Sequence, residues 1–293
     1  MLTINVAPDG SGQFTTISEA VLAVPYDCPA VIRIAPGIYR EKLVCEKKDI
    51  TLAGAGMDAT RLVWNDGGKL PHPDGRPTHT FRSYTAFFSG EKLRVEDMTI
   101  ENDAGPGAKA GQAIAAYVDS ARAAFSRVRL LGNQDTVYTG IANNRSAFYD
   151  CYIEGTTDFI FGPGRAWFEN CEIRSKANSY ITAASSPAGQ EYGYVFNKCK
   201  LTAEPGVDKV YLGRPWRPYA ATLFMNCEMG SHIRPEGWHN WGKQSNEQTA
   251  RYSEYNNHGA GAATKARVAW SRQLTKKEAA KVTIENVFGE EAW

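Results

Sequence analysis

The sequence carries almost no excess charge of either sign. Its 33 lysines and arginines are matched by 32 aspartates and glutamates, which leaves a net charge of +1. A protein that attracts nucleic acid or an anionic membrane surface over a long range needs a basic excess, and this chain does not have one. We therefore expect neither partner. Any binding of an acidic polymer has to depend on a few local groups.

Long apolar stretches are also missing. No run approaches the roughly 18 consecutive apolar residues of a transmembrane helix. The first residues, MLTINVAPDG, do not place a charged segment before an apolar one, as a signal peptide does. The sequence therefore predicts no membrane span. Either the protein is cytoplasmic, or a leader preceded this chain and was removed.

Cysteines are few and scattered, with six in 293 residues. This number is too small for a disulfide scaffold, and no Cys-x-x-Cys or His-x-x-His spacing indicates a zinc site. Cys151 and Cys171 occupy equivalent places in related segments, so a disulfide between them is possible if the compartment is oxidising. A disulfide and two free thiols both stay open as alternatives, and we expect no metal or other cofactor.

What the chain does contain is an internal repeat. Short alternating apolar and polar runs recur at a period typical of a parallel β-solenoid, in which successive coils share one core. We expect the phenylalanines on one side of these strands and the cysteines on the other, the latter in a small apolar stack. A β-sandwich of short strands is the alternative. The related segments, at steps of 23, 20, 28 and 28 residues, are FSRVRL from Phe125, FYDCYI from Phe148, FENCEI from Phe168, FNKCKL from Phe196 and FMNCEM from Phe224.

Both ends of the chain carry signals for the start of a helix. Thr16-Ile-Ser-Glu19 is a capping box before an apolar run, and Thr275-Lys-Lys-Glu278 repeats the device near the other end. The ends of a solenoid core need a cover, so we predict short capping helices on a single all-β domain of residues 1–293. The proline- and glycine-rich residues 65–82, here called the groove loop, are predicted to wall a binding groove.

Two aspartates lie in similar aromatic and glycine-rich surroundings. Asp135 belongs to GNQDTVYTG, and Asp158 belongs to GTTDFIFGPG, 23 residues later. Because this distance is about one coil, we expect the two carboxyls on neighbouring strands roughly 4.8 Å apart. Repulsion between them should separate their pKa values, as in a pair of nucleophile and general acid. Such a pair suits covalent hydrolysis.

Three further polar residues fit around this pair. Gln112 and Gln134 are 22 residues apart and so fall on neighbouring coils, where their N–H groups can stabilise an oxyanion. Arg214, in VYLGRPWRPY, is the candidate to hold one aspartate ionised and oriented through a two-pronged hydrogen bond that lowers its pKa. Two carboxyls about 5 Å apart are also typical of a retaining glycosidase. The glutamines favour acyl transfer, because an oxocarbenium-like transition state develops no oxyanion.

Aromatic residues gather near these motifs, and flat apolar rings beside carboxylates suit the C–H face of a sugar. Strand alternation in DFIFG predicts that Phe159 and Phe161 share a side and point away from Asp158. One or both of them then belong to the core. The aromatic residues of this group are Tyr138, Phe159, Phe161, Trp216, Trp238 and Trp241.

Taken together, the motifs resemble those of the pectin methylesterases of carbohydrate esterase family 8. The similarity runs in order over nearly the whole chain, through VAPDGSGQFTTISEAV, PGIYREKL, GQAIAA, GNQDTVYTG, DFIFG and YLGRPW. It implies a right-handed parallel β-helix that hydrolyses C6 methyl esters of homogalacturonan to pectate and methanol. The implied roles are Asp158 as nucleophile, Asp135 as general acid and then base, Gln112 and Gln134 as oxyanion donors, and Arg214 as the group that orients Asp158.

By the same resemblance, Trp216, Tyr138, Phe161 and Thr85 are expected to contact the sugar chain. The partners are then methyl-esterified homogalacturonan and water, and we expect a monomer that is secreted or periplasmic, where pectin is found. Thr157, before the DFIFG aspartate, departs from the family pattern. This departure affects which sugars the subsites prefer and not the catalytic residues. Two other classes stay open, a pectate lyase or polygalacturonase that cleaves the chain, and a non-catalytic solenoid that only binds polysaccharide.

Overall fold

The computed structural model describes residues 1–289. In this range short strands are wound into coils, and only short helical segments interrupt them. The helical segments are α1 (Ile17–Ala23), α2 (Gly107–Ala110), α3 (Lys276–Ala279) and α4 (Ile284–Phe288), with 3₁₀ turns at Thr80–Arg82 and Gln244–Gln248. The strands are β1 (Leu2–Val6), β2 (Ala30–Ile34), β3 (Gly37–Arg40), β4 (Leu43–Cys45), β5 (Ile50–Ala53), β6 (Thr60–Trp64), β7 (Ala86–Phe88), β8 (Leu93–Asn102), β9 (Ala116–Val118), β10 (Arg122–Leu131), β11 (Val137–Thr139), β12 (Arg145–Tyr149), β13 (Tyr152–Gly155), β14 (Ile160–Gly162), β15 (Arg165–Glu169), β16 (Glu172–Ser175), β17 (Tyr180–Ala184), β18 (Tyr194–Asn197), β19 (Lys200–Ala203), β20 (Tyr211–Gly213), β21 (Ala221–Met225), β22 (Glu228–Met229), β23 (Arg251–Tyr255) and β24 (Arg272–Gln273).

Successive coils stack their strands in parallel register, into one sheet of seventeen strands and one of seven. The predicted repeat is the step of this stack, because each phenylalanine of the repeat lies opposite the next one. The rings are fully buried, with neighbouring centroids 4.3 to 4.8 Å apart. The fold is a right-handed parallel β-helix, and the sandwich alternative is wrong. The register pairs are Phe125 with Phe148, Phe148 with Phe168, Phe168 with Phe196, and Phe196 with Phe224.

Strand alternation predicted that the cysteines face away from the phenylalanines, but in the structure they do not. Cys151 and Cys171 are buried in the same core as the rings. Between Phe148 and Cys151 the backbone at Asp150 has φ = 52°, and Asn170 has φ = 54° at the equivalent place in the next coil. A left-handed residue turns the chain through a corner and breaks the alternation of strand residues, so both side chains point inward.

The thiols of this buried row are not joined to one another. All six cysteines are free. The Sγ atom of Cys151 donates to the carbonyl oxygen of Phe125 at 3.5 Å, and that of Cys171 donates to the carbonyl oxygen of Phe148 at 3.4 Å. Of the two alternatives for this pair, the structure contains the free thiols, which act as small apolar side chains with a weak donor.

Helix α1 covers the N-terminal end of the core, as predicted. Thr16 caps the helix, because its hydroxyl accepts a hydrogen bond from the backbone N–H of Glu19 at 3.2 Å. The face of α1 that meets the coils carries Ile17, Ala20 and Val21, all of them buried. The apolar end of the first coils is therefore shielded from water.

The C-terminal helices lie in a different place from the one predicted. The predicted capping box forms at the start of α3. Helix α4, however, packs Val287 and Phe288 against an outer face of the large sheet, in a cluster that includes Trp167. At the C-terminal end of the core, aromatic side chains pack on one another beyond Phe224, whereas α4 lies on the flank of the large sheet. These side chains are Trp238, Tyr252 and Trp270.

The seven-stranded sheet, formed by β4, β7, β9, β11, β14, β17 and β20, lies beside the groove loop. The backbone N–H of Gly68 in this loop donates to the carbonyl oxygen of Gln112 at 2.7 Å. Asn102 is buried, and its Nδ2 donates to the carbonyl oxygens of Asp66 at 3.0 Å and Ser83 at 2.7 Å. These bonds hold the loop against the coil that carries Gln112.

Candidate active site

The two aspartates each stand two residues before a strand of the seven-stranded sheet. Val137 and Ile160 are opposite each other in register, so Asp135 and Asp158 occupy equivalent places on adjacent coils. Both have a left-handed backbone, with φ = 67° and 49°. Aspartate tolerates this conformation better than most residues. The two residues are only 7% and 6% exposed, so a pair of carboxyls is held close to the protein interior.

The left-handed backbone at Asp158 also changes which side chains face the cavity. Phe159 is fully buried in the core, whereas Phe161 lines the same cavity as Asp158. The prediction that both phenylalanines point away from Asp158 is therefore wrong for Phe161. Strand β14 begins only at Ile160, so side-chain alternation cannot be counted through Asp158.

Arg214 follows β20 and pairs with Asp158 from two coils away. Its Nε donates to Oδ1 of Asp158 at 2.9 Å, and its Nη2 donates to Oδ2 at 2.6 Å. The guanidinium lies between the rings of Tyr180 and Trp241, with its Cζ 3.9 and 3.8 Å from their centroids. A planar two-pronged bond with a ring on each face of the guanidinium fixes the direction of the carboxylate.

Burial raises the pKa of both carboxyls, and their charged neighbours make the two values unequal. At Asp135, burial and the negative charge of Asp158 raise the pKa well above its usual value, against a smaller opposing effect of Arg214. At Asp158, burial also raises the pKa, while the hydrogen bond and charge of Arg214 oppose it. The expected lowering by Arg214 is present, but burial outweighs it. As the pH rises, Asp158 loses its proton first and Asp135 stays protonated beside it.

Gln112 and Gln134 complete the polar wall of the cavity. The cavity has a volume of about 210 Å³ and is lined by both glutamines, both aspartates and Arg214. The coils of the glutamines are joined by a backbone hydrogen bond of 3.0 Å from the N–H of Ala113 to the carbonyl oxygen of Gln134. The structure therefore brings together all five polar residues that the sequence predicted.

Aromatic side chains form the apolar wall. Phe161 and Trp216 line the cavity, and Tyr138 on the neighbouring strand packs against Phe161 with ring centroids 4.8 Å apart. Trp241, which the sequence placed in the aromatic group near the motifs, also lines the cavity, as does Phe81, which had no predicted role of its own. Phe81 belongs to the groove loop, so the prediction that this loop walls a groove is confirmed. No sequence pattern marks Phe81, because the 3₁₀ turn that presents it occurs within an irregular loop.

Thr85 is not available to a substrate. It is fully buried, and its hydroxyl donates to the carbonyl oxygen of Glu101 at 2.8 Å. The prediction that Thr85 contacts the sugar chain is therefore wrong. Trp238 is likewise a core residue, and its indole N–H donates to Glu254 at 3.3 Å.

Comparison with known proteins places this chain in a family. The family model described as Pectinesterase matches residues 3–291. The chain belongs to the pectinesterase family. Pectinesterase 31 of Arabidopsis thaliana is 40% identical over 285 residues, which cover 94% of this chain and 89% of that relative.

Solved structures of pectinesterases share the fold. Pectin methylesterase from carrot superposes with a TM-score of 0.90 at 34% identity, over 99% of this chain and 94% of that one. A pectin methylesterase in complex with a hexasaccharide gives a TM-score of 0.87 at 30% identity, over 99% and 98%. The resemblance, the fold class and the enzyme class predicted from the sequence are confirmed. This pectinesterase is an esterase that removes methyl esters from pectin.

Neither a metal-binding cluster nor a membrane-spanning helix occurs among the described residues of this pectinesterase. Within 1–289, no group of three or more histidine, cysteine, aspartate or glutamate side chains is placed to hold a metal ion. None of the helices in that range is long and apolar enough to cross a membrane. The cavity is lined by residues with two carboxyls, two carboxamides, one guanidinium and aromatic rings, together with Thr80 and Ala183.

Proposed function

We propose that this pectinesterase hydrolyses C6 methyl esters of homogalacturonan through a covalent intermediate on Asp158. The observation that carries the proposal is the two-pronged bond from Arg214, which orients Asp158 beside a second carboxyl with a higher pKa. An ionised carboxylate acts as nucleophile, and a protonated carboxyl, here Asp135, acts as general acid. Both groups that the route requires lie in one cavity.

The first half of the reaction forms the intermediate. An oxygen of Asp158 attacks the ester carbonyl carbon, and negative charge develops on the carbonyl oxygen. The carboxamide N–H groups of Gln112 and Gln134 stabilise this oxyanion. As the tetrahedral species collapses, the bond to the methoxy oxygen breaks, and Asp135 donates its proton to that oxygen. Methanol leaves, and the sugar carbonyl is joined to Asp158 as an anhydride.

The second half of the reaction releases the product. Asp135, now ionised, takes a proton from water as the water oxygen attacks the sugar carbonyl. The anhydride bond breaks, and Asp158 leaves as a carboxylate. The galacturonic acid unit is set free, and Asp135 is protonated again. The scheme balances with water as the second substrate and uses no metal or organic cofactor.

The sugar chain is proposed to lie along the aromatic wall. Trp216, Phe161 and Tyr138 offer ring surfaces against which the C–H faces of sugars pack. Phe81 is 44% exposed and lines the same cavity as Trp241, although the two residues are far apart in sequence. The related pectin methylesterase that holds a hexasaccharide supports an extended substrate rather than a single sugar.

The scheme is tested by following two products in parallel. Methanol release from highly methylated pectin is measured together with new reducing ends. We expect methanol with no new reducing ends, because the glutamines serve an oxyanion and not an oxocarbenium-like transition state. New reducing ends with a fall in viscosity would instead indicate a chain-cleaving enzyme, and polymer retention without methanol would indicate a binding module.

The nucleophile is tested by Asp158→Asn, which keeps the shape of the side chain beside Arg214. Methanol release should fall by several orders of magnitude, because the carboxamide cannot form the anhydride. Folding of the variant is checked by its melting temperature. Turnover close to that of the wild type in a folded variant would exclude Asp158 as the nucleophile.

We further propose that residues 1–293 act as a single, monomeric domain with no nucleic-acid or membrane partner. One continuous core from Ile4 to Tyr252 supports the single domain. The net charge of +1 supports the absence of polyanion and membrane partners. The location of pectin supports a secreted or periplasmic enzyme, with a cytoplasmic location as the alternative.

A further inference from the structure

Each glutamine of the proposed oxyanion site rests against a glycine from a neighbouring segment. A methyl group placed on Gly107 would lie 2.7 Å from Oε1 of Gln134 and 3.1 Å from its Cβ. A methyl group placed on Gly68 would lie 3.1 Å from Oε1 of Gln112. In both cases the carboxamide occupies space that a side chain on the glycine would fill.

The backbone at Gly107 does not itself require glycine. Gly107 is the first residue of α2, and its φ is not left-handed. Glycine in a helix is less favourable than alanine by about 1 kcal/mol at most, and less so at the first position. Gly68 also has no left-handed φ. At Gly107 the three nearest atoms to an added methyl group all belong to the side chain of Gln134, so this contact, and not the conformation of the chain, disfavours a side chain. At Gly68 the carboxamide oxygen of Gln112 is the nearest atom, with main-chain atoms of Gln112 and His79 at 3.3 and 3.4 Å.

The contact determines which end of the carboxamide is available to a substrate. The oxygen and the nitrogen of a carboxamide lie on opposite sides of one planar carbon, and only the N–H end can stabilise an oxyanion. With Oε1 of Gln134 against Gly107, the amide nitrogen is the end left for the cavity that Gln134 lines. The same holds for Gln112 against Gly68.

The glycines are held in place by backbone bonds, so neither can withdraw easily from its glutamine. The carbonyl oxygen of Gly107 accepts from the N–H of Gly111 at 2.9 Å. The N–H of Gly68 donates to the carbonyl oxygen of Gln112 at 2.7 Å, and the next residue, Lys69, bonds to Ala110 at 2.9 Å. If a methyl group is added, the flexible carboxamide moves more easily than the loop.

We propose that Gly107 is a positioning residue that fixes the carboxamide of Gln134, and that Gly68 has the same role for Gln112. The inference rests on the proposed function only where it predicts a rate, since the orientation of the side chain can be observed by itself. Its consequence for the reaction is that both oxyanion donors are aimed before the substrate arrives.

The test is Gly107→Ala, with Ala108→Ser on the next, exposed residue of α2 as the matched control. We expect Gly107→Ala to keep or raise the melting temperature while kcat falls about tenfold or more, toward the 10²–10³ typical of a lost oxyanion donor. KM should change much less than kcat. In a Gln134→Ala background, Gly107→Ala should cause no further loss of kcat, because the group it displaces is gone. Ala108→Ser should leave kcat unchanged.

A crystal structure of Gly107→Ala separates this inference from the proposed mechanism. We expect the Gln134 carboxamide to be displaced or rotated with the loop unmoved. An unmoved carboxamide overturns the inference, as does an equal loss of kcat from Gly107→Ala in the wild-type and Gln134→Ala backgrounds. If the carboxamide moves but Gln134→Ala keeps the wild-type kcat, the positioning contact stands and the oxyanion role of Gln134 fails.

Discussion

At the scale of single residues, the site depends on two buried aspartates that differ in their charged neighbours. Asp158 is bonded at both oxygens to Arg214, whereas Asp135 is raised in pKa by the negative charge of Asp158 as well as by burial. The same buried environment thus holds one carboxyl that ionises early and one that ionises late. In the proposed mechanism, this order makes Asp158 the nucleophile and Asp135 the acid, although the two are the same residue type.

Arg214→Lys should slow hydrolysis of fully and partly methylated oligogalacturonates by similar factors. Lysine cannot form the two-pronged bond or stack between Tyr180 and Trp241, so Asp158 is less well oriented. Without the two-pronged bond, less of the rise in pKa caused by burial is offset, so the pKa of Asp158 increases further. Because activity is lost as the pH falls through that pKa, the acidic limb of the kcat/KM profile should move to higher pH.

A different outcome would assign Arg214 to the sugar chain. If the defect appears only on substrates that carry free carboxylates, and the acidic limb stays in place, Arg214 is a substrate contact and not the group that orients Asp158.

Asp135→Asn should inactivate the enzyme but stabilise its fold near neutral pH. The folded-state pKa of Asp135 is raised, so its contribution to stability is complete below the unfolded-state pKa of about 3.9 and is lost as the pH rises toward the folded-state value. Asparagine avoids this loss. The gain in melting temperature over the wild type should therefore be larger near pH 7 than near pH 4. A gain that is the same at both pH values would contradict the raised pKa.

At the scale of elements, each coil turns a corner through one residue with a left-handed backbone. The equivalent positions in four successive coils are Asp150, Asn170, Lys198 and Asn226, with φ of 52°, 54°, 53° and 56°. Aspartate and asparagine tolerate this conformation, whereas it costs most other residues roughly 1–2 kcal/mol. Lys198 is thus the strained member of these four. Arg127, at the equivalent place in the coil before that of Asp150, has φ = 52° and is strained in the same way.

Lys198→Asn should raise the free energy of unfolding by about 0.5–1 kcal/mol, which is part of the cost of a left-handed lysine. The ion pair that Lys198 makes with Glu169 is on the surface, so its loss should matter little. Chemical denaturation measures the change. Lys200→Asn, at an exposed strand position with an ordinary backbone, is the control and should not stabilise the protein.

At the scale of the whole molecule, stability comes from contacts between neighbouring coils along one axis. Phe168 is fully buried, and its ring stacks on Phe148 at 4.7 Å and on Phe196 at 4.3 Å. Each coil therefore depends on the coils on either side of it. The geometry of the site also depends on the stacking of the coils, because its residues come from several successive coils.

Phe168→Ala should lower the free energy of unfolding by about 3–5 kcal/mol, because it leaves a cavity between two rings that the backbone cannot close. Glu228→Ala, at an exposed position, should change it by less than about 0.5 kcal/mol. Denaturant unfolding compares the two variants. A loss of similar size in both would mean that the phenylalanine row is not a main source of stability.

The sequence by itself determined the coil and the five polar residues of the site. In a β-helix each coil pairs with the next coil along the chain, and each phenylalanine of the repeat stacks on the phenylalanine at the same position in the next coil. The spacing of the repeat in the sequence is therefore the length of each coil. The same logic placed Asp135 beside Asp158 and Gln112 near Gln134. Chemistry predicted only that Arg214 pairs with one of the two aspartates, because a carboxylate that must stay ionised when buried needs a cation. The resemblance to the family chose Asp158 as that partner, and the structure contains this pair.

Only the tertiary structure decided the direction of individual side chains and the place of the last helix. The alternation of strand residues predicts the direction of a side chain only while the strand is regular. A residue with a left-handed backbone, such as Asp150 or Asp158, interrupts this alternation. As a result, Cys151 points into the core and Phe161 points toward the cavity. Thr85 is fully buried, and the carbonyl oxygen of Glu101, 16 residues along the chain, accepts a hydrogen bond from its hydroxyl. Helix α4 lies on the flank because the outward residues of the strands form an apolar strip there. Such contacts between distant segments leave no periodic trace in the sequence.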